Sequence, residues 1–364
     1  MPGYADESLS FSPDGKWIAA GGHNDANVLT AIWDVASGEK IHEWKWAKNN
    51  DPHSNITDLC FSSDSRKLAV ANFRQRRGFV LDLDSKEQLF SFKHPGVYGL
   101  SFDSTNQTLV TVGWDSSIKH WDVETGEVDV DKDVNFPRQG QPDYESDLRM
   151  YSIRYSPNGQ TYATQHMRAI TRIWKTSDGE MMSENNPNTS VDTGTLSYSH
   201  DGLWLATGDR KGVARIYDTL TGKVIMTKQA HPDAVISMHF PADGQTLLTG
   251  GSEGVSYLWS LRPEQETQEE QSIDELSLNL FSDNSMTAFQ AHWALLEQPE
   301  ATISLFKKQL LDSDNIDPNS QVFLRAVAVL NTMNTDDSGR LLKSIGDKYP
   351  DDLLGREANR LHNR

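Results

Sequence analysis

A histidine, a hydroxyl and a carboxylate recur together in this chain, and such a set could relay protons in a hydrolase. The sets are His94, Thr111 and Asp115 in one place and His231, Thr249 and Glu253 in another. Each set ends on a tryptophan, Trp121 or Trp259, whose indole N–H can donate a hydrogen bond but cannot do acid–base work. Because the sets recur at the spacing of an internal repeat, a structural role is favoured over catalysis.

Other catalytic signatures are missing from the sequence. It contains no Walker loop, no G-x-G-x-x-G and no H-E-x-x-H motif, and its 11 histidines have no metal-ligand spacing. The single cysteine, Cys60, stands between Leu59 and Phe61 in a strand-like run, which indicates a buried, inert thiol. We therefore predict no catalytic residue, no metal and no cofactor, and we expect that the chain is not an enzyme.

The elements that must position these residues form a repeat of six units. In each unit one strand-like run ends in an aromatic residue before a turn, and a later run ends in a second, mostly aromatic, residue. The first runs end at Phe11, Phe61, Phe102, Tyr155, Tyr198 and Phe240, and the later runs at Trp33, Leu81, Trp121, Trp174, Tyr217 and Trp259. The period of about 41 to 53 residues is near that of a four-stranded propeller blade. Asp-Gly and Asn-Gly pairs supply hairpin turns.

These residues resemble the WD-repeat family over about residues 8–262. The resemblance implies a mainly β fold, a WD-repeat β-propeller with six recognisable blades, and a hydrogen-bonded tetrad of His, Ser or Thr, Asp and Trp within a blade. The third repeat would form it from His94, Thr111, Asp115 and Trp121, and the sixth from His231, Thr249, Glu253 and Trp259. Repeats four and five carry Arg168 and Lys211 at the acidic position and lack the tetrad.

The repeats exclude a second class of propeller but leave the number of blades open. Propellers of Tol-type periplasmic proteins and of prolyl-oligopeptidase-like hydrolases also use Ser-Pro-Asp-Gly, but they lack the His and Trp-Asp spacing found here, and the chain has no G-x-S-x-G elbow. The blade count stays open, since six units fit either a six-blade ring or an open, shortened form of a seven-blade propeller.

The propeller domain is predicted at residues 1–262, and a second, helical domain at residues 272–364, after an acidic linker at 263–271. Ser272 and Glu275 form a capping box, and apolar residues then recur at helical spacing. Met286, Phe289, Trp293 and Leu296 make one such stripe, for which core packing is favoured over a groove for a partner helix. The segment resembles the HEAT-like helical arrays that follow the propeller in large bacterial WD-repeat proteins.

Charge and hydropathy restrict the partners. The chain has 52 acidic and 34 basic residues, a formal net charge of −18, which argues against non-specific binding of nucleic acid. No run approaches the roughly 18–20 apolar residues of a membrane span. The first residues have no basic start and no apolar stretch, so we expect no signal peptide and a cytoplasmic protein.

Basic and aromatic residues concentrate in the loops between the second and third strands, where the resemblance implies that propeller ligands bind. This predicted rim consists of Phe73, Arg74, Arg76, Arg77, Trp114, Met167, Arg168, Arg210 and Lys211. The hypothesis is a non-catalytic scaffold that binds protein partners on this propeller face, with the helical tail as a second candidate surface, and an acidic or phosphorylated peptide is one candidate partner. Two alternatives stay open: solvated turn charges without a ligand, and a sensor that takes a small ligand or metal in the central channel.

Overall fold

Six antiparallel sheets form the β part of the molecule, as the repeats predict. In the computed structural model the described residues are 8–23, 27–48, 56–129, 134–135, 149–186, 195–241, 243–263, 271–313 and 316–363. The predicted linker therefore lies mostly outside the described residues. The chain divides into two compact units, Met1–Gly194 and Thr195–Arg364. The predicted domain boundaries at 262 and 272 stay predictions.

The first unit contains four sheets, each a meander of four strands in chain order. Their strands are β1 (Ser8–Phe11), β2 (Trp17–His23), β3 (Asn27–Asp34) and β4 (Lys40–Lys48); β5 (Ile56–Phe61), β6 (Lys67–Asn72), β7 (Arg77–Asp82) and β8 (Gln88–Lys93); β9 (Val97–Phe102), β10 (Thr108–Gly113), β11 (Ser117–Asp122) and β12 (Val134–Asn135); and β13 (Met150–Tyr155), β14 (Thr161–His166), β15 (Thr171–Lys175) and β16 (Met181–Asn185). Neighbouring sheets bury apolar residues between their faces. Ala69 and Val80 of the second sheet, for example, share a fully buried core with Leu100 and Leu109 of the third.

Two recurring side-chain hydrogen bonds explain why these segments form hairpins. After the first strand of the second sheet, the Ser62 hydroxyl donates to Asp64 and accepts from the backbone N–H of Lys67 at 2.8 Å. After the third strand of the third sheet, the Asp122 carboxylate accepts from the N–H of Thr125 at 2.7 Å. Gly126 then takes a φ of +74°, which a side chain would disfavour. The conspicuous Asp of the repeat is thus a turn-forming residue.

The second unit contains two sheets and the helices. Its strands are β17 (Thr195–Tyr198), β18 (Trp204–Gly208), β19 (Val213–Asp218) and β20 (Lys223–Gln229), then β21 (Val235–His239), β22 (Thr246–Gly251) and β23 (Ser256–Ser260). Its helices are α1 (Ile273–Leu280), α2 (Ser285–Leu296), α3 (Pro299–Phe306), α4 (Leu324–Met333), α5 (Asp336–Lys348) and α6 (Leu353–His362). The predicted capping box of Ser272 and Glu275 is present at the start of α1.

The helices share a core with the fifth sheet. Phe289 and Trp293 of α2 are buried, and the Phe289 ring lies 5.2 Å from that of Trp204 in β18. The side chain of Arg325 on α4 donates to Asp218 at the end of β19 at 2.7 Å, and both are buried. Core packing thus uses the predicted aromatic stripe, except that Met286 is 44% exposed. Among the described residues, no helix combines the length and the hydropathy needed to cross a membrane.

Candidate interaction site

Four aromatic side chains from three consecutive sheets meet in the first unit. Phe73 comes from the β6–β7 turn, Tyr98 from β9, Trp114 from the β10–β11 turn and Tyr151 from β13. The Trp114 ring lies at the centre, with ring centroids 4.7 Å from Phe73, 5.9 Å from Tyr98 and 6.0 Å from Tyr151. We call these four residues the aromatic cluster. All four residues are half-buried.

Two β-bulges aim the tyrosines of the cluster. In the pairing of β9 with β10, Val97 stands opposite Gly113 and Gly99 opposite Val112, which leaves Tyr98 as an extra residue. The pairing of β13 with β14 leaves Tyr151 extra in the same way. A bulge redirects the side chain of the extra residue, and bulges often occur beside functional sites. Both tyrosines therefore leave the regular face of their strand and reach the residues of the turns.

Glycines allow the Trp114 turn to pack closely. A Cβ atom on Gly113 would lie 2.7 Å from the carbonyl oxygen of Gly96, and Gly96 itself has a φ of +71°. The Trp114 N–H donates to that same oxygen at 3.0 Å. The β10–β11 turn is thereby held against the segment that leads into β9, which fixes the Trp114 ring beside Tyr98.

Two arginines add positive charge to the aromatic cluster. The Arg149 guanidinium lies 4.9 Å from the centroid of the Trp114 ring, and that of Arg74 lies 5.8 Å from the Phe73 ring. Both distances are in the range of cation–π attraction. Within the described part of the chain, the buried Nε1–H of Trp114 has no hydrogen-bond acceptor. The site thus presents aromatic surface, two cations and an indole donor that lacks an acceptor.

The structure brings together three of the residues predicted for the rim, namely Phe73, Arg74 and Trp114. Arg76 and Arg168 are exposed, each with a positive φ, while Arg77 begins β7 and Met167 begins a 3-10 turn, Met167–Ala169. Arg210 and Lys211 are exposed on the β18–β19 turn of the second unit. That the whole predicted rim forms one surface stays a prediction. Sequence reasoning missed Tyr98, Arg149 and Tyr151, because only the bulges and the folded turns place them here.

The residues that the WD-repeat resemblance implies as tetrads are hydrogen-bonded to one another. In the third sheet, Nδ1 of His94 lies 2.7 Å from Oγ1 of Thr111, to which the indole of Trp121 donates at 2.9 Å. Nε2 of His94 lies 3.0 Å from Asp115 and also 3.0 Å from the Ser117 hydroxyl. Burial raises the pKa of Asp115, but the hydrogen bonds from His94 and Ser117 outweigh it and hold that pKa below its usual value.

His94 has no accessible surface, and both of its ring nitrogens are occupied. This geometry suits a structural link between strands and offers no free nitrogen to a substrate. The sixth sheet repeats it with Thr249 Oγ1, which lies 2.8 Å from His231 and accepts from Trp259 at 2.8 Å. Glu253 contacts the other nitrogen of His231, in the place that Asp115 has in the third sheet.

The fourth sheet has a different version of the His–Thr–Trp hydrogen bonds, which the sequence analysis did not predict. The Trp174 indole donates to Thr164 at 2.9 Å, as in the third sheet, but the histidine comes from the same strand as Thr164. This residue is His166, whose Nε2 lies 2.9 Å from the Thr164 hydroxyl. The signal was present in the sequence as a histidine two residues after the threonine.

An ion pair between a buried aspartate and a half-buried arginine connects the inner strands of three sheets in the first unit. The Arg154 guanidinium of β13 donates to both carboxylate oxygens of Asp58 in β5, at 2.8 and 3.0 Å. Asp58 also accepts from the N–H of Leu100 in β9, whose carbonyl accepts from Arg154. The coulombic attraction of Asp58 outweighs burial and raises the pKa of Arg154 further. The pair is fully used within the fold and carries no free functional group.

Matches to known proteins agree with this architecture. The family profile described as "WD domain, G-beta repeat" matches residues 7–28 and 86–122, and "Anaphase-promoting complex subunit 4 WD40 domain" matches 170–243. The chain is 23% identical over 245 residues to "WD repeat-containing protein 91 homolog" of Dictyostelium discoideum and 23% identical over 281 residues to "Periodic tryptophan protein 2" of Saccharomyces cerevisiae. These alignments cover 62% and 70% of this chain but only 29% and 30% of those relatives.

A third relative is of more similar length. The chain is 22% identical over 276 residues to a "Guanine nucleotide-binding protein subunit beta" of Solanum tuberosum, which covers 69% of this chain and 67% of that protein. The profiles, the relatives and the six sheets together support a WD-repeat protein. WD40-repeat proteins generally act as scaffolds for protein interactions.

Proposed function

We propose that this chain is a non-catalytic scaffold that binds a partner protein through the aromatic cluster and its flanking arginines. The observation that carries the proposal is the convergence of Phe73, Tyr98, Trp114 and Tyr151, with Arg74 and Arg149 against their rings. Tyrosine, tryptophan and arginine are the residues that dominate the energetics of protein interfaces. The general use of WD40 repeats as interaction scaffolds supports the same interpretation.

The chemistry of the cluster favours an acidic or phosphorylated peptide as the partner. Arg74 and Arg149 provide positive charge on a chain whose net charge is −18. A negatively charged ligand would therefore be attracted to this place and repelled elsewhere. Arg76, exposed on the same turn as Phe73, extends the positive charge.

The sensor alternative finds no support. In the described part of the chain, no group of three or more His, Cys, Asp or Glu side chains could hold a metal. The histidines that recur in the repeats are engaged with threonine and carboxylate partners.

The test is affinity capture from the native cell with the full chain and with two variants. Trp114→Ala should weaken binding of the captured partner by about 2 kcal/mol or more, roughly thirtyfold, because it removes the central ring. Arg76→Glu should weaken binding in a manner that fades as salt rises. Arg66→Glu is the control, since Arg66 is also exposed but lies in the β5–β6 turn, at the opposite end of the same sheet, where it pairs with the exposed Asp84.

The variants must keep the fold for the test to be informative. Trp114→Ala loses ring contacts within the protein, so its thermal unfolding has to be measured beside that of Arg76→Glu, which is exposed and should be neutral. A partner that binds Arg76→Glu and Arg66→Glu equally well, and also binds a folded Trp114→Ala, would place the interaction elsewhere.

A further inference from the structure

The sixth sheet differs from the other five at its outer edge. In the first five sheets the third strand pairs with a fourth strand, whereas the sixth sheet has only β21, β22 and β23 among the described residues. β23 (Ser256–Ser260) is therefore an edge strand in the described part of the chain. A free edge exposes backbone donors and acceptors that another strand can pair with.

The register shows which backbone groups of β23 face outward. The hairpin closes with the N–H of Gly251 donating to Val255, and the N–H of Leu261 donates to Gln245 beyond the strand. Alternate residues of an antiparallel strand bond to the same neighbour, so the odd-numbered residues between these two bonds are directed at β22. The backbone groups of Ser256, Leu258 and Ser260 are thus directed away from the sheet.

Within the described residues, this edge strand lacks the charges and the proline that commonly protect an edge. Residues 254–261 read Gly-Val-Ser-Tyr-Leu-Trp-Ser-Leu, without a charge or a proline. Leu258 is 62% exposed and Tyr257 42%, and Leu248, the register partner of Leu258, is 39% exposed. By contrast, charged residues stand on the outer strands of four other sheets; they are Lys40, Glu43 and Lys45, then Lys93, Glu184, Lys223 and Lys228. Charges on an edge are a common defence against strand pairing.

We propose that β23 pairs antiparallel with β23 of a second copy of the chain, about a two-fold axis at Leu258. The strand is complementary to itself in this arrangement. Leu258 would stand opposite Leu258 of the second copy, and each Tyr257 would stand opposite a Trp259, with the small Ser256 and Ser260 paired outside them. Aromatic and aliphatic cross-strand pairs stabilise antiparallel strands. Because the contact uses the same edge on both copies, assembly stops at a dimer.

The net charge of the chain predicts how dimerisation depends on salt. Each copy has a formal net charge of −18, so the two copies repel each other at low ionic strength, although residues 254–261 contain no charged side chain. Salt screens that repulsion, and the dimer should therefore strengthen as salt rises. A basic strand from another protein would show the opposite dependence. The proposal is independent of the proposed binding function, because β23 lies in the second unit and the aromatic cluster lies in the first.

The test is the mass of the full chain in solution, measured by light scattering and sedimentation equilibrium as concentration and salt rise. The expected result is a shift from one chain mass to two, which is lost in Leu258→Lys and in Leu258→Pro. Proline removes the outward N–H but is tolerated where an edge N–H faces solvent. Leu278→Lys is the matched control, since Leu278 is 74% exposed on α1 and the charge change is the same. The control should dimerise like the parent chain.

Amide hydrogen exchange of the unaltered chain locates the contact without any variant. On dimerisation the amides of Ser256, Leu258 and Ser260 should become protected, while those of Tyr257 and Trp259 should change little. A chain that stays monomeric at every salt concentration would overturn the proposal. So would a dimer whose Leu258→Lys variant stays dimeric, or whose newly protected amides lie elsewhere. An edge that is occupied only by a strand from a different protein would equally refute the second copy as the occupant.

Discussion

The strongest test of how the helices attach to the fifth sheet is the substitution Asp218→Asn. Arg325 donates to Asp218 at 2.7 Å and to the carbonyl oxygens of Leu280 and Ser282 at 2.9 and 2.6 Å. The side chains of Arg325 and Asp218 are only 5% and 2% exposed. Asparagine keeps the size of the residue and a turn-forming oxygen, but it leaves the arginine charge buried without its counter-ion.

Loss of one partner of a buried ion pair costs about 3–5 kcal/mol, because the remaining charge is uncompensated. We expect about 3 kcal/mol for Asp218→Asn, the lower end, since two carbonyl oxygens still accept from Arg325. Asp122→Asn is the matched control. Asp122 forms the same kind of turn in the third sheet, accepting from the N–H of Thr125 at 2.7 Å, but it is exposed. Its substitution should have a far smaller effect.

The assay is denaturant unfolding of the full chain followed by tryptophan fluorescence. Of the ten tryptophans, Trp204 and Trp293 lie in the core that the fifth sheet shares with the helices, so part of the emission change comes from this contact. In the double variant Asp218→Asn, Arg325→Met the loss should be partly recovered, because no buried charge then remains. Equal midpoints for Asp218→Asn and Asp122→Asn would refute the assignment of Arg325 and Asp218 as the anchor.

Three further predictions concern stability. Burial lowers the pKa of His292 to about 4, below its usual 6.5, so as the pH falls the unfolded chain binds a proton at this histidine before the folded chain does. The free energy of unfolding should therefore fall by about 3 kcal/mol between about pH 6.5 and 4. His292→Leu should flatten this part of the curve of unfolding free energy against pH. His94→Ala should cost about 1–3 kcal/mol in thermal unfolding, because Thr111 and Asp115 lose a buried partner. Gly212→Ala should cost clearly more than Gly254→Ala, since both have positive φ but only the first would bring a Cβ atom within 1.9 Å of a carbonyl oxygen.

Much of the β architecture could be predicted from the sequence because its signals are local and repeated. The aromatic residue at the end of each first run recurs in all six units, and an Asp ends the third strand in four of them. These signals correspond to the hairpins of the sheets. The helices of the C-terminal segment could likewise be predicted, from the capping box at Ser272 and from the helical spacing of Phe289 and Trp293. Each of these signals spans only a few residues.

The contacts that depend on distant parts of the chain could not be predicted in this way. Asp218 and Arg325 are 107 residues apart, and Asp58 and Arg154 are 96 apart, so no local pattern pairs them. Trp114 was predicted as a rim residue from its turn, but a bulge decides that Tyr98 joins it. Alternation of apolar and polar residues does not indicate an extra residue in one strand of a pair.

In the fifth sheet a residue of the repeat pattern also contacts the helices. Its third strand ends in Tyr217 and Asp218, where the third sheet has Trp121 and Asp122. Asp218 keeps the turn-forming role, since it accepts from the N–H of Leu220 at 3.0 Å. The turn already places a carboxylate at the corner of the sheet, and Arg325 of the helices pairs with it there, beside the apolar contacts of Phe289 with Trp204. The same aspartate is therefore a solvated turn residue in one sheet and a buried anchor in another, and the difference lies in what packs over it.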